Sequence, residues 1–556
     1  MSPNTTRIRR LIAVAGATGL ALAITSCSSE RGTRQTSAGG EKTGTFVFAA
    51  ASEPVALDPA FVADSESTRV ANQIFEGLVS IKPGTAEPAP GLATSWSQTD
   101  DGLSYTFQLR KDVKFSDGTP FDAEAVCFNF ERWYNWNGPL QAENISNLYQ
   151  LVFAGFKTSD NPALTKGIYK GCAAQGDAVT ITLTRPYGSL IPALAISSFA
   201  MQSPTALKQY KADDPGASGD VRRNEYSTAH PTGTGPYLFE SWEKGQRLTL
   251  RANPTYWGGK PKIDKIVVRI IPDGTARLQA LQSGEIDGYD LVAPADVQGL
   301  SGAGFQVLPR EPLNILYLGM NQADPLLADI RVRKAIAHAL DKQAIVSQTL
   351  PAGTKPAEQF IPPPVNGYAD SVATYDYDPA KAKKLLEEAG ATGKTVTFNY
   401  PTGTSRPYMP SPEDTFVAIR TQLEAVGLKV NAVPEKWSPE YLERIKAKTD
   451  HGLYLLGGTG IMNSADTFLG IFFGRKTVEW GFEDKKLFES VAAARSARNL
   501  AEQGEKYATV SKELMDLLPG IPVAHPVPSL ALSPRITGYV TSPLAAEVWN
   551  TLEIKG

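Results

Sequence analysis

Between residues 375 and 460 the signals for helix and strand alternate three times, and few folds accommodate that pattern. Asp378 is placed to cap a helix, Pro379 suits its first position, "AKAKKLLEEA" favours it, and Gly390 ends it. A strand is expected over 394–400. Ser411-Pro412-Glu413-Asp414 repeats the cap before "TFVAIRTQLEAV", whose Phe416, Ile419, Leu423 and Val426 share one helical face until Gly427. "LKVNAV" reads as a strand, Ser438-Pro439 opens the helix "EYLERIKAK", and "GLYLLG" returns as a strand. Such alternation predicts a layered α/β lobe with a largely parallel sheet. In open α/β sheets ligands sit beyond the carboxyl ends of the strands. Three loops occupy that place: "PTGTSRPYMP" (401–410), "PEKWS" (434–438) and "GTGIMNSADT" (458–467). Their candidate ligand-binding side chains are Arg406, Tyr408, Trp437, Asn463 and Asp466. Trp437 stands out, because a Trp on a short polar loop is costly to leave facing water.

At 556 residues the chain is long enough for a second core. "GTFVFAAASEPVALDPAFVADSESTRVANQIFEGLVSIKP" reads as strand, Pro-rich loop, helix and strand. "GLSYTFQLRKDVKFSDGTPF" reads as an antiparallel pair turning at Asp117-Gly118. Aromatics crowd "FNFERWYNWNG" (128–138); on a helix Phe128, Trp133 and Trp136 cannot all face one way, so one ring is expected at a surface or groove.

The first residues have a different character. Arg7, Arg9 and Arg10 precede an uncharged run from Leu11 to Thr25 that is too short to span a bilayer, the layout of a secretory signal. Its end, Ile24-Thr25-Ser26-Cys27, resembles a bacterial lipobox, which implies a lipid on Cys27 followed by a flexible tether over 28–43. The alternative is an ordinary signal peptide with a chance cysteine. With Cys27 lipidated, Cys127 and Cys172 remain as a pair in an oxidising compartment; a disulfide is expected, against two separately buried thiols. "SLIPALAISSFAM" (189–201) is the longest later apolar stretch, too short for a span and interrupted by a proline.

Composition and motifs exclude other chemistry. The net charge of −3 gives no basis for nucleic-acid binding. His230, His338, His451 and His525 show no metal-site spacing, and there is no G-x-S-x-G elbow. His338 is expected at the surface, or half-buried, on an amphipathic helix. "GATGKT" (390–395) follows a helix and precedes a strand, the reverse of a phosphate loop, and "GGTGIMN" lacks the third glycine of a dinucleotide fingerprint. No cofactor, metal or catalysis is expected.

The stretch "TGTGPYLFESWEKGQRLTLRANPTYWGGKPKIDKIVVRIIPDGTARLQALQSGEIDG" (232–288), continued by "NILYLGMNQADPLLADIRVRKAIAHALDKQAIV", resembles the extracytoplasmic solute-binding proteins of peptide and nickel ABC importers, family 5. The GTGPY, N-P-x-Y-W and L-x-x-G-E-I-D elements fall in order. The resemblance implies a two-lobe, type II periplasmic-binding-protein-like fold with an extra subdomain (about 92–232) in lobe I. Lobe I would hold 44–310 and 528–556, lobe II 311–527, with crossings near Pro312 and Pro526. It also implies a monomer, anchored outside the membrane by its lipid, that captures an oligopeptide and delivers it to the permease and ATPase subunits of an importer. Glu53 matches a pocket-edge position, and Trp437 with Tyr441 a pocket-lining stretch. Peptide-binding members carry G-W-x-x-D after the "GLYLL" strand, the Trp against the ligand and the Asp on its amine; here Gly458 and Ile461 stand there. A buried ammonium without a carboxylate costs several kcal/mol. A free N-terminus is then anchored elsewhere, with Asp466 as the candidate, or is not part of the ligand. The alternatives are a non-peptide solute (an oligosaccharide, a haem or a metal chelate), with Gly458 enlarging the cavity and the aromatics at 133, 134, 136 and 437 stacking on sugars, or a surface sensor without transport.

Overall fold

The computed structural model describes residues 44–159, 166–544 and 546–555. The leader, Cys27 and the 28–43 tether lie outside them. Two large sheets organise the two lobes. In lobe I seven strands run in the order Gln306–Pro309, Ser529–Leu532, Gly288–Asp290, Thr45–Ala50, Lys265–Ile270, Arg247–Ala252 and Tyr237–Glu243. Alternation along Thr45–Ala50 sends Phe46 and Phe48 into one apolar layer with Leu248, Leu250 and Trp549, and Ala49 into another with Leu281 and Tyr289.

Lobe II has six strands, ordered Lys355–Pro356, Gly520–His525, Asn314–Met320, Leu453–Thr459, Thr395–Thr402 and Lys429–Lys436. The helices Pro379–Glu388, Pro412–Ala425 and Leu442–Ala447 follow the sequence pattern. Asp378 accepts from Lys381 N–H as expected of a cap, but the Ser411 side chain makes no capping bond; its carbonyl accepts from Thr415 instead. The sheet is mixed rather than largely parallel. Thr395–Thr402 runs parallel to both neighbours, while Asn314–Met320 is antiparallel to both of its own. The reason is that Asn314–Met320 enters from lobe I through one interlobe crossing, and Gly520–His525, which follows the helix Leu500–Leu517, leaves through the other. These crossings, 310–313 and 526–528, lie side by side, with Arg310 N–H donating to Pro528 O at 2.9 Å and Asn314 Nδ2 to Pro526 O at 3.3 Å.

The extra subdomain is a four-stranded antiparallel sheet, Ala93–Gln98, Ser104–Leu109, Ala178–Leu183 and Tyr169–Gln175, faced by the helices Ala123–Tyr134 and Glu143–Phe153. Ser104–Leu109 pairs with Ala93–Gln98 and Ala178–Leu183, not with the segment 110–121 that directly follows it. The Asp117-Gly118 turn closes a single bridge, Lys114 to Pro120, and Asp117 Oδ1 accepts from the Thr119 amide at 3.0 Å. Trp133 and Trp136 are buried among Phe61, Phe130 and Phe199, and Tyr134 leans on Tyr169. Trp133 and Trp136 are thus held by core packing, while Tyr134 is half-buried at the edge of the same cluster. Phe128 and an edge of Trp136 line a recess of about 450 Å³, with Asp213 and Leu140. Cys127 and Cys172 are joined in a disulfide between helix and sheet.

The signature stretch is a structural clasp. A Cβ on Gly233 would lie 2.3 Å from Ile74 O, and one on Gly235 2.6 Å from the same atom. Glu76, just beyond, accepts from Thr234 at 2.7 Å, Tyr256 at 2.8 Å and Trp257 at 2.8 Å. Burial raises the Glu76 pKa, opposed by these three bonds. GTGPY and N-P-x-Y-W thus fasten the end of the helix Ser65–Ile74 onto the sheet.

Candidate functional site

The strands Thr395–Thr402, Lys429–Lys436 and Leu453–Thr459 are parallel neighbours around Thr395–Thr402, so their following loops emerge at one edge. The first loop brings Arg406 and Tyr408, the second Trp437. The ζ carbon of Arg406 sits 4.7 Å from the centre of the Trp437 ring, a cation–π contact. Behind Trp437, Tyr441 stacks at 6.0 Å and is fully buried, its hydroxyl donating to Leu455 O and, at 3.4 Å, to Asn399 O. Tyr441 therefore plugs the gap between diverging strands and supports the wall rather than forming its surface. Tyr408 is also buried; burial raises its pKa, against the pull of the adjacent Arg406 charge. Its ring lies over Gly457, where a Cβ would come within 2.4 Å of Tyr408 Cδ2. Arg406 Nε is buried without a hydrogen-bond partner among the described residues.

The third loop departs from expectation. Gly458 opens no extra space, because a Cβ there would lie 2.7 Å from Phe472 Cζ: the Phe472 ring occupies that position. Asn463 Oδ1 accepts from Asn366 N–H at 3.1 Å. Asp466 is fully buried and spoken for: Tyr187 donates to its Oδ2 at 3.0 Å, Tyr507 donates to Oδ1, and Arg495 Nε stands 3.3 Å from Oδ1. With both oxygens engaged and no surface exposed, it is placed to hold these side chains together and not to meet a ligand ammonium, which corrects the role expected of it. Glu53, in lobe I, accepts from Trp242 Nε1 at 3.0 Å and Gly245 N–H at 2.8 Å through Oε1, fixing the loop before Pro54 to the Tyr237–Glu243 hairpin. His338 is buried, not half-exposed, because its Nδ1 bonds Asp376 O at 2.7 Å.

Sequence reasoning brought Arg406, Tyr408 and Trp437 together. It missed Phe472, inside the short helix Leu469–Phe473, and Tyr187, in the loop after the strand Ala178–Leu183, because both matter only through the partners that folding supplies.

Two sheets joined by paired crossings, with an arginine and aromatic rings at the strand ends of one of them, form an arrangement suited to gripping a solute. Residues 87–480 match the model of bacterial extracellular solute-binding proteins, family 5. The chain belongs to that family. It is 30% identical to heme-binding protein A of Haemophilus influenzae, over 99% of this chain and 100% of that one. It is 29% identical to the dipeptide-binding protein of Escherichia coli, over 92% and 95% of the two chains. In structure it resembles DppA of Helicobacter pylori in complex with the peptide STSA, with a TM-score of 0.75 at 25% identity, covering 92% and 98%. Members of this family are solute receptors, not enzymes, and work outside the cytoplasm with ABC importers. Among the described residues no helix is long and apolar enough to cross a membrane, and no group of His, Cys, Asp and Glu could hold a metal ion.

Proposed function

We propose that this protein captures an oligopeptide through its carboxylate on the wall formed by Arg406, Tyr408 and Trp437, and delivers it to the permease and ATPase of an ABC importer. The lipid on Cys27 would tether it, as a monomer, to the outer face of the membrane. The observation that carries the reading is Arg406: a guanidinium held over an indole, with a buried Nε–H that has no acceptor among the described residues, is preorganised for a carboxylate. Closure needs no chemistry, only a solute that binds the closed state better than the open one. A second reading is favoured by the fate of Asp466 and by Ile461: with Asp466 engaged by Tyr187, Tyr507 and Arg495 and an apolar side chain at 461, this loop offers no carboxylate to an amine, and a carboxylated non-peptide solute such as a haem fits the same wall. The relatives named for dipeptides and for haem stand on either side of this choice.

The test is calorimetry with free and N-acetylated tetrapeptides and with haem. A carboxylate ligand is expected to bind at least tenfold more weakly to Arg406→Ala, a loss of about 1.4 kcal/mol. Unchanged affinity removes Arg406 from the site. Binding of haem and of no peptide selects the second reading.

A further inference from the structure

The 460–467 loop is held from outside its own lobe. From the extra subdomain, Tyr187 donates to Asp466 Oδ2 at 3.0 Å. Two residues on, Ser189 Oγ lies 2.6 Å from Ser464 Oγ, which in turn lies 2.9 Å from Gln503 Oε1. Met462, from the same loop, is fully buried in the apolar core of the subdomain, beside Phe156 and Leu194 in that cluster. The backbones meet closely as well: a Cβ on Gly188 would lie 2.6 Å from Asn499 O, and one on Gly102 2.5 Å from Arg498 O. Arg495 spans the same seam, with Nη2 donating to Leu151 O at 2.6 Å while Nε faces Asp466. Tyr187, Asp466 and Tyr507 are all buried. Buried polar groups of this kind are costly to leave unpaired, so the seam is made as a whole or not at all.

This loop follows the strand Leu453–Thr459, the parallel neighbour of the strand Thr395–Thr402 that leads into the Arg406 loop. We infer that Tyr187 is a positioning residue for solute capture: acting from the extra subdomain through Asp466, it sets the 460–467 loop, so that the wall is complete only while subdomain and lobe II are docked. The inference rests on the proposed site for its purpose. Its physical content, coupling of that loop to the subdomain, is measurable without any solute.

The experiment compares Tyr187→Phe with Tyr507→Phe in the full, unliganded chain. Both variants remove one hydroxyl from the same carboxylate, one across the seam and one from within lobe II. Hydrogen exchange of the 460–468 amides is expected to accelerate at least tenfold in Tyr187→Phe, with a larger radius of gyration by X-ray scattering. Tyr507→Phe is expected to lower the melting temperature and leave the radius unchanged. Joining Ser189→Cys to Ser464→Cys by oxidation in the Tyr187→Phe background is expected to restore slow exchange. Wild-type exchange and radius in Tyr187→Phe, or identical responses of both variants, would overturn the inference. Loss of solute binding in Arg406→Ala with a normal seam bears on the site alone, so the two failures are distinguishable.

Discussion

Two parts of this molecule bring glycines against crowded neighbours, and they differ in what crowds them. In the GTGPY clasp the obstacle is backbone: Ile74 O, 2.3 Å from a Cβ on Gly233. After the strand Leu453–Thr459 the obstacle at Gly458 is the far end of a side chain, Phe472 Cζ at 2.7 Å. A carbonyl fixed at the end of a helix cannot move without moving the helix, whereas a phenyl ring can change rotamer. The clasp is therefore a place where sequence is dictated by packing. The loop is a place where side chains trade volume, and a solute site can be reshaped there without refolding a lobe.

The largest effect that distinguishes them is expected at Gly233→Ala, which should cost more than about 3 kcal/mol, as overpacking against immovable atoms does. Chemical denaturation checks this. A loss under 1 kcal/mol would mean that the helix Ser65–Ile74 shifts freely and that the clasp is no more rigid than the loop.

Next in size is a test of whether that rigidity reaches the crossings. His525, at the end of the strand Gly520–His525, is buried with Nδ1 on Asn314 O at 2.9 Å, and burial holds its pKa down to about 4. The ordinary value is near 6.5, so between those two values the unfolded chain binds more protons than the folded one. Stability is then complete above about pH 6.5 and falls as the pH drops towards 4, by up to about 3 kcal/mol. His525→Gln is expected to be less stable at pH 7 but to lose less between pH 6.5 and 4. A parallel loss in both proteins would show that the crossing admits a charged imidazole, and hence water.

The same contrast explains what the sequence could reveal. The helices Pro379–Glu388 and Pro412–Ala425 and their strands were legible because caps, a terminal glycine and a period of 3.6 are local. The direction of Asn314–Met320 was not, since it is set by a crossing whose partner lies some two hundred residues away. Arg406, Tyr408 and Trp437 could be picked out because strand order places loop ends together. Asp466 was picked out for the same reason and misread, because a carboxylate on a loop looks the same whether its partner is a ligand or Tyr187 and Tyr507.

Gly458→Ala should show the smallest effect. The methyl group must displace Phe472, which is half-buried and packs against Tyr317 with ring centres 5.7 Å apart. A ring with a rotamer to move into keeps the cost to about 1 kcal/mol, and the combination with Phe472→Leu should recover most of it, because the smaller side chain removes the contact that the first change creates. Denaturation midpoints of the two single variants and the double variant measure that coupling. Additive losses would mean that Phe472 does not yield to residue 458, and that the wall at this strand end is as fixed as the clasp. A favourable coupling with little loss of stability would make residues 458 and 472 one unit of volume, the pair through which such a site is fitted to solutes of different size.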